Sequence, residues 1–178
     1  YHHKYSKMPT VSERGQKMPA SPIRRLVPYA EAAKERGIKV YHLNIGQPDI
    51  KTPTIAVEAV HKSNIEVIEY SHSAGFLSYR KKLAKYYQRN DIYVDYKDIL
   101  ITTGGSEAII FTFLTALNQG DEIIVPEPFY ANYLGFAYQA GVTIKAVSSS
   151  IDNGFALPSI DEFEKLITPR TKGVLICN

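Results

Sequence analysis

The sequence Thr102-Thr103-Gly104-Gly105-Ser106-Glu107-Ala108 sets two adjacent glycines and a hydroxyl between an apolar run at 99–101 and a helically periodic run at 109–117. A strand, a glycine turn and a helix start gather several backbone N–H groups in one concave spot, with the positive end of the helix dipole behind them. That arrangement suits an anion such as a phosphate or a carboxylate. Gly104 and Gly105 would let the backbone approach the anion closely, and Ser106 would add a hydroxyl. Each hydrogen bond to a charged oxygen is worth roughly 1.5–3 kcal/mol. A plainer assignment is equally open, in which the glycines make a tight strand-to-helix turn and Ser106 only caps the helix. No Gly-Lys-Ser/Thr follows the turn and the third glycine of the dinucleotide fingerprint is missing. A nucleotide is therefore disfavoured, and a smaller phosphorylated ligand is the better candidate.

The elements that would position this turn can be followed along the chain. Residues 1–20 mix Lys, Arg, Ser, Gly and Pro without periodicity and read as an extended arm. Ser21-Pro22 is a cap followed by proline at the first helical position, and Ile23, Leu26, Tyr29, Ala30 and Ala33 recur at helical spacing until Gly37. Pro28 should kink that helix. Residues 40–45 predict a short strand ending in the turn Gly46-Gln47-Pro48-Asp49. Thr52-Pro53 repeats the cap signature before a helix through Ala56, Val57, Val60 and Ile65, and a further helix carries Leu77, Leu83, Ala84 and Tyr87.

From there the pattern alternates regularly: strand 99–102, helix 106–117, strand 122–126, helix 130–140 and strand 142–147. An Asn153-Gly154 turn follows, then a short helix with Ser159 and Glu162 as a capping box, ending near Ile167, and a strand at 173–177. This alternation predicts an α/β fold, a mostly parallel sheet with helices on both faces built from right-handed βαβ units. Parallel strands are buried on both faces, so the strand next to Asn178 calls for covering structure, and a longer protein is expected. Met8 is a candidate start, with Tyr1–Lys7 upstream of it.

Composition narrows the function. The chain has 178 residues, is 44% hydrophobic and 22% charged, and carries a net charge of only +3. Its Lys and Arg residues are interspersed with Asp and Glu rather than gathered in a stripe, which argues against a nucleic-acid partner. No apolar stretch approaches the roughly 20 residues needed to cross a bilayer, and a soluble, cytoplasmic protein is expected. The single cysteine, Cys177, excludes an internal disulfide and reads as a small buried hydrophobe. His2, His3, His42, His61 and His72 lack metal-ligand spacing, so no metal is expected.

Four segments in order resemble one family. They are LNIGQPD (43–49), YSHSAGFLSYR (70–80), ITTGGSEAI (101–109) and DEIIVPEPFYANY (121–133), and TPRTKGVLICN (168–178) is similar to the approach to the same family's Asn-Pro-x-Asn-Pro-Thr-Gly loop. The family is the class I and II aminotransferases of the fold-type I pyridoxal phosphate enzymes, nearest in pattern to the aspartate aminotransferase-like branch. The resemblance implies the fold-type I large domain, incomplete here. Residues 1–20 would be an N-terminal arm, 21–50 a small-domain segment with its helix, and 51–178 the first part of the domain that binds pyridoxal 5'-phosphate.

It also implies roles that spacing does not supply. Gly105 and Ser106, with Gly104 shaping the turn, match the loop that holds the cofactor phosphate. Tyr130 matches the aromatic residue stacked on the pyridine ring. Tyr70 matches the tyrosine that reaches the cofactor phosphate of the neighbouring subunit, which implies a homodimer with shared active sites. Gly46 matches a backbone position near the substrate α-carboxylate. The reaction implied is transfer of an amino group between an L-amino acid, aspartate-like or broad, and a 2-oxo acid. A lyase or synthase of the same superfamily and a non-catalytic pyridoxal phosphate sensor are the alternatives. The family's Schiff-base lysine, pyridine-binding aspartate and substrate-clamping arginine all fall beyond Asn178, so no catalytic residue is assigned here and this segment alone is expected to be inactive.

Overall fold

A computed structural model describes residues 10–177. Met8 and the residues before it, with the first part of the predicted arm, lie outside the described residues. The chain divides into two compact units, one taking residues through His42 and from Ser106 onward, the other Leu43–Gly105.

The first unit is organised by a three-stranded parallel sheet. Its strands are β1 (Glu122–Pro126), β2 (Thr143–Val147) and β3 (Thr171–Val174), in the order β2-β1-β3. Glu122 pairs with Thr143 and Pro126 with Val147, while β3 joins the other edge of β1 with a bulge between Glu122 and Ile123. Every residue of β1 is buried, whereas β2 and β3 are largely half-exposed. This is the burial expected of a central parallel strand, and it explains why the run EIIVP does not alternate with polar residues.

Helices α5 (Gly105–Ala116) and α6 (Tyr133–Ala140) supply the apolar partners of β1. Phe113 of α5, Ile123 and Val125 of β1, Tyr133 and Ala137 of α6, and Val142 form one core cluster. Ile123 and Val125 share a face because strand side chains alternate. Ile124, on the opposite face, is also buried. Each such aliphatic side chain contributes about 1.5–3 kcal/mol when fully buried.

The polar end of β1 is pinned as well. The Glu122 side chain is buried, and its carboxylate accepts from Thr168 Oγ1 at 2.7 Å and from Arg170 Nη2 at 2.6 Å and Nε at 3.1 Å, with Lys145 Nζ at 3.8 Å. The Thr168 hydroxyl and then the Arg170 guanidinium hold this carboxyl below its ordinary value of 4.5 against the opposing effect of burial. A carboxyl lowered on folding stabilises fully above its unfolded value and loses that contribution as pH falls through the folded one. As pH falls from 4.5 toward the folded value, unfolding should therefore take up more protons than in Glu122→Gln. Urea midpoints measured from neutral pH downward check this, and identical acid slopes in the two proteins would refute it.

Elsewhere in this unit, α1 (Glu13–Lys17) forms within the segment predicted to be extended, because Ser12 caps it by accepting from Gly15 N at 3.1 Å. The predicted helix from Ser21 is divided into a 3-10 turn at Arg24–Leu26 and helix α2 (Val27–Glu35). Pro28 lies in the first turn of α2, where its missing N–H has no intrahelical partner to lose, so it begins that helix rather than kinking it. Helix α6 starts at Tyr133, three residues later than predicted, after a connection with a cis Glu127–Pro128 peptide. Helix α7 (Ile160–Glu164) has Ser159 at its N-cap position, but the predicted capping box is not made through the Ser159 side chain, and Glu162 pairs with Lys165 instead. Cys177 is exposed, beyond the end of β3, and not the buried hydrophobe expected.

The second unit holds α3 (Thr54–His61) and α4 (Leu77–Gln88). The strands predicted at 40–45 and 99–102 are absent from the sheet. Leu43 in the first of these stretches is 96% exposed, and the second donates from Ile99 N to Tyr96 O at 3.4 Å and from Ile101 N to Ala74 O at 3.1 Å. Arg80 is the buried residue of this unit, while Ile50, Ile55, Val60 and Ile68 are exposed. Among the described residues, no helix is long and apolar enough to cross a membrane, and no cluster of His, Cys, Asp or Glu is arranged to hold a metal ion.

Candidate functional site

The glycine turn leads directly into α5. Gly104 has φ +83°, a left-handed conformation that an L side chain adopts only at a cost of about 1–2 kcal/mol. A Cβ placed on Gly104 or on Gly105 would meet no other atom within 4 Å. Among the described residues, the glycines therefore border open space where a side chain would go. Thr102 Oγ1 donates to Gly104 O at 3.0 Å and braces the turn.

Since α5 begins at Gly105, Ser106 is its second helical residue, exposed in the first turn rather than at the cap position of the plainer assignment. The first four N–H groups of a helix have no intrahelical acceptor. Those of Gly105 and Ser106 thus stand beside the open space, with twelve residues of aligned peptide dipole behind them. The chemistry of these donors fits a phosphate: N–H groups, a hydroxyl, and room for oxygen atoms where side chains are missing.

Tyr130 follows the carboxyl end of β1, the side of a parallel sheet where ligands bind. Its ring is half-exposed and held from behind, edge-on to Tyr133 at 5.4 Å and 87° and tilted against Phe136 at 6.4 Å. Tyr133 is buried and stacks on Phe129. Burial, followed by the neighbouring Cys177, raises its phenol above the ordinary value of 10.0, so it stays neutral.

The Tyr130 hydroxyl accepts from Asn132 Nδ2 at 2.7 Å, and Asn132 Oδ1 accepts from Ser21 Oγ at 3.2 Å. This relay has no signature in the sequence. Ser21 reads there as a helix cap, and Asn132 as one of several polar residues before an apolar run. Ser21 and Asn132 also border a cavity of about 230 Å³ between the Met18–Pro22 segment and α6, with Phe136 and Gln139 in its wall.

Tyr70 and Gly46 lie in loops of the second unit. Tyr70 is fully exposed. Gly46 has no left-handed backbone, and a Cβ placed on it would meet nothing within 4 Å, so glycine is not imposed there by the fold.

Residues 38–178 match the family model for aminotransferase class I and II. The chain belongs to this family. Among its relatives, a probable aspartate/prephenate aminotransferase of Rickettsia bellii is 33% identical over 80% of this chain and 36% of that protein. A single mutant of the Thermus thermophilus aspartate aminotransferase superposes with a TM-score of 0.85 at 30% identity, over 94% of this chain and 44% of that one. An alanine aminotransferase from Pyrococcus furiosus gives 0.84 at 32% identity, over 93% and 43%. The chain therefore spans less than half the length of these aminotransferases. Its mixed α/β architecture with a parallel sheet is that of its fold-type I neighbours.

Proposed function

We propose that this aminotransferase-family chain contributes the cofactor-anchoring part of an enzyme that uses pyridoxal 5'-phosphate to move an amino group between an L-amino acid and a 2-oxo acid. The observation that carries the reading is the open turn, left-handed at Gly104, that leads through Gly105 into the N-terminus of α5. In this reading Gly104 shapes the turn, while the Gly105 and Ser106 N–H groups and the Ser106 hydroxyl donate to phosphate oxygens. Tyr130 offers its ring face to the pyridine, with the hydroxyl held by Asn132 so that the ring keeps one orientation. An offset or edge contact of this kind is worth about 0.5–1.5 kcal/mol beyond the area it buries.

Tyr70, with its side chain free in solvent, reaches the phosphate held by a second copy, which makes the enzyme a homodimer with shared sites. Gly46 passes its backbone close to the substrate α-carboxylate. When bound, the cofactor supplies the carbonyl that receives the amino group and the electron-poor ring that eases loss of the Cα proton. The residues here bind and orient. The lysine that moves the proton is assigned to sequence outside this chain, and residues 1–20, 21–50 and 51–178 are taken as arm, small-domain segment and first part of the large domain. The donor is aspartate-like or broad, in keeping with relatives named for aspartate and for alanine, and the compartment is cytoplasmic.

The test is the protein at its natural full length, incubated with pyridoxal phosphate, L-aspartate and a 2-oxo acid acceptor. Acquisition of a visible cofactor band and formation of the acceptor's amino acid are expected. A protein that binds the cofactor but only eliminates or decarboxylates its substrate would sink the transfer assignment, and one that binds no cofactor would sink the whole reading.

A further inference from the structure

Residues 99–101 lack a sheet partner, yet they deliver the chain to Gly104. What holds them is a brace within the same unit. Ile101 N donates to Ala74 O at 3.1 Å, and Gly75 packs directly on the Ile101 side chain. A Cβ on Gly75 would lie 2.4 Å from Ile101 Cγ1 and 2.6 Å from Ile101 Cβ, and the backbone there is left-handed, with φ +90°. Both constraints require glycine.

The turn that presents Ala74 and Gly75 is closed by Gly75 N donating to His72 O at 2.7 Å and Ala74 N to His72 Nδ1 at 3.1 Å. Arg80 of α4 then locks both approaches to residues 99–101. Its Nε donates to Gly75 O at 3.2 Å, and its Nη1 donates to Tyr96 O at 3.2 Å, in the 3-10 turn Tyr96–Asp98 that feeds directly into Ile99. The guanidinium also lies 6.0 Å from the Tyr96 ring centre. A buried cation given to two backbone carbonyls is costly unless both bonds are made, so Arg80 couples their positions.

We infer that Gly75 and Arg80 are positioning residues for the phosphate-binding turn, acting through Ile101, three residues before Gly104. The inference rests on the reading of that turn given above. A displaced Ile101 shifts the N–H groups that follow it, and hydrogen bonds to a charged oxygen weaken steeply once misaligned.

The readout is the ratio of dissociation constants for pyridoxal and pyridoxal 5'-phosphate, measured by fluorescence titration on the protein at its natural full length. The ratio isolates the phosphate grip, and a change confined to folding stability leaves it unaltered in the folded fraction. Gly75→Ala and Arg80→Met should each lower the ratio about tenfold, with Arg80→Lys, which keeps the charge and a single donor nitrogen, falling between them and wild type. In wild type, saturation with the phosphate ester should slow hydrogen exchange at Ile101 N more than saturation with pyridoxal does. This second measurement stands even if Gly75→Ala fails to fold. A large wild-type ratio that all three variants retain, or equal exchange protection by the two ligands, overturns the inference alone. A wild-type ratio near one overturns the phosphate reading of the turn, and the inference with it.

Discussion

Phe113→Ala should cost the chain roughly 3–5 kcal/mol of folding stability, the range for a buried phenylalanine replaced by alanine. Phe113 is 2% exposed and meets β1 and α6 at the centre of the cluster that includes Val125, Tyr133 and Ala137. Removing its ring takes away the transfer free energy of the side chain and leaves a void bounded by a strand and a helix that are each fixed by other contacts, which limits collapse. The neighbouring Leu114 is 61% exposed on the same helix, and Leu114→Ala should change stability by no more than about 0.5 kcal/mol. Urea denaturation of the two variants of this chain decides the matter. Equal losses would mean that the packed face of α5 is wrongly assigned.

Gly105→Ala combined with Ser106→Ala should weaken pyridoxal phosphate binding by about 100-fold or more. Ser106→Ala removes one hydrogen bond to a charged oxygen, worth roughly 1.5–3 kcal/mol, the Gly105 methyl pushes the phosphate off a second, and each 1.4 kcal/mol is a factor of ten. The pair separates binding from folding unusually well. Gly105 has no positive φ, and an added Cβ meets nothing within 4 Å, so alanine fits the fold there. Alanine also favours a helix over glycine by up to about 1 kcal/mol. Stability should hold or rise slightly while affinity falls, because the space the methyl group enters is the space the phosphate needs. Unchanged affinity, measured by titration of the protein at its natural full length, would reduce this segment to a tight turn into α5.

The site was partly legible in sequence because its chemistry is local. A glycine pair before a helix start is a contiguous pattern, and the open space beside Gly104 and Gly105 follows from the missing side chains themselves. The supports of the site were not legible, because they are contacts between distant residues. Asn132 holds the Tyr130 hydroxyl and is itself held by Ser21, 111 positions away, and Arg80 reaches Tyr96 across 16 positions. Hydrogen bonds of this kind leave no periodicity in a sequence.

The same distinction separates the elements. Strand β1 and helix α5 could be read from sequence within one residue, because an uninterrupted apolar run and a 3.6-residue period are properties of the segment alone. The family, too, was readable from four motifs in order, and the match over residues 38–178 bears it out. Residues 40–45 and 99–102 carry equally apolar runs, yet a strand exists only where a second strand answers its N–H and C=O groups, and the sheet of the described residues has three members. Cys177 has a hydrophobe's character but is exposed, whereas the charged Arg80 and Glu122 are buried because backbone carbonyls, Thr168 and Arg170 meet their hydrogen-bonding demand. Local periodicity and turn chemistry are written residue by residue; pairing, burial and the bracing of the glycine turn depend on which distant groups arrive to satisfy them, and only the tertiary structure decides that.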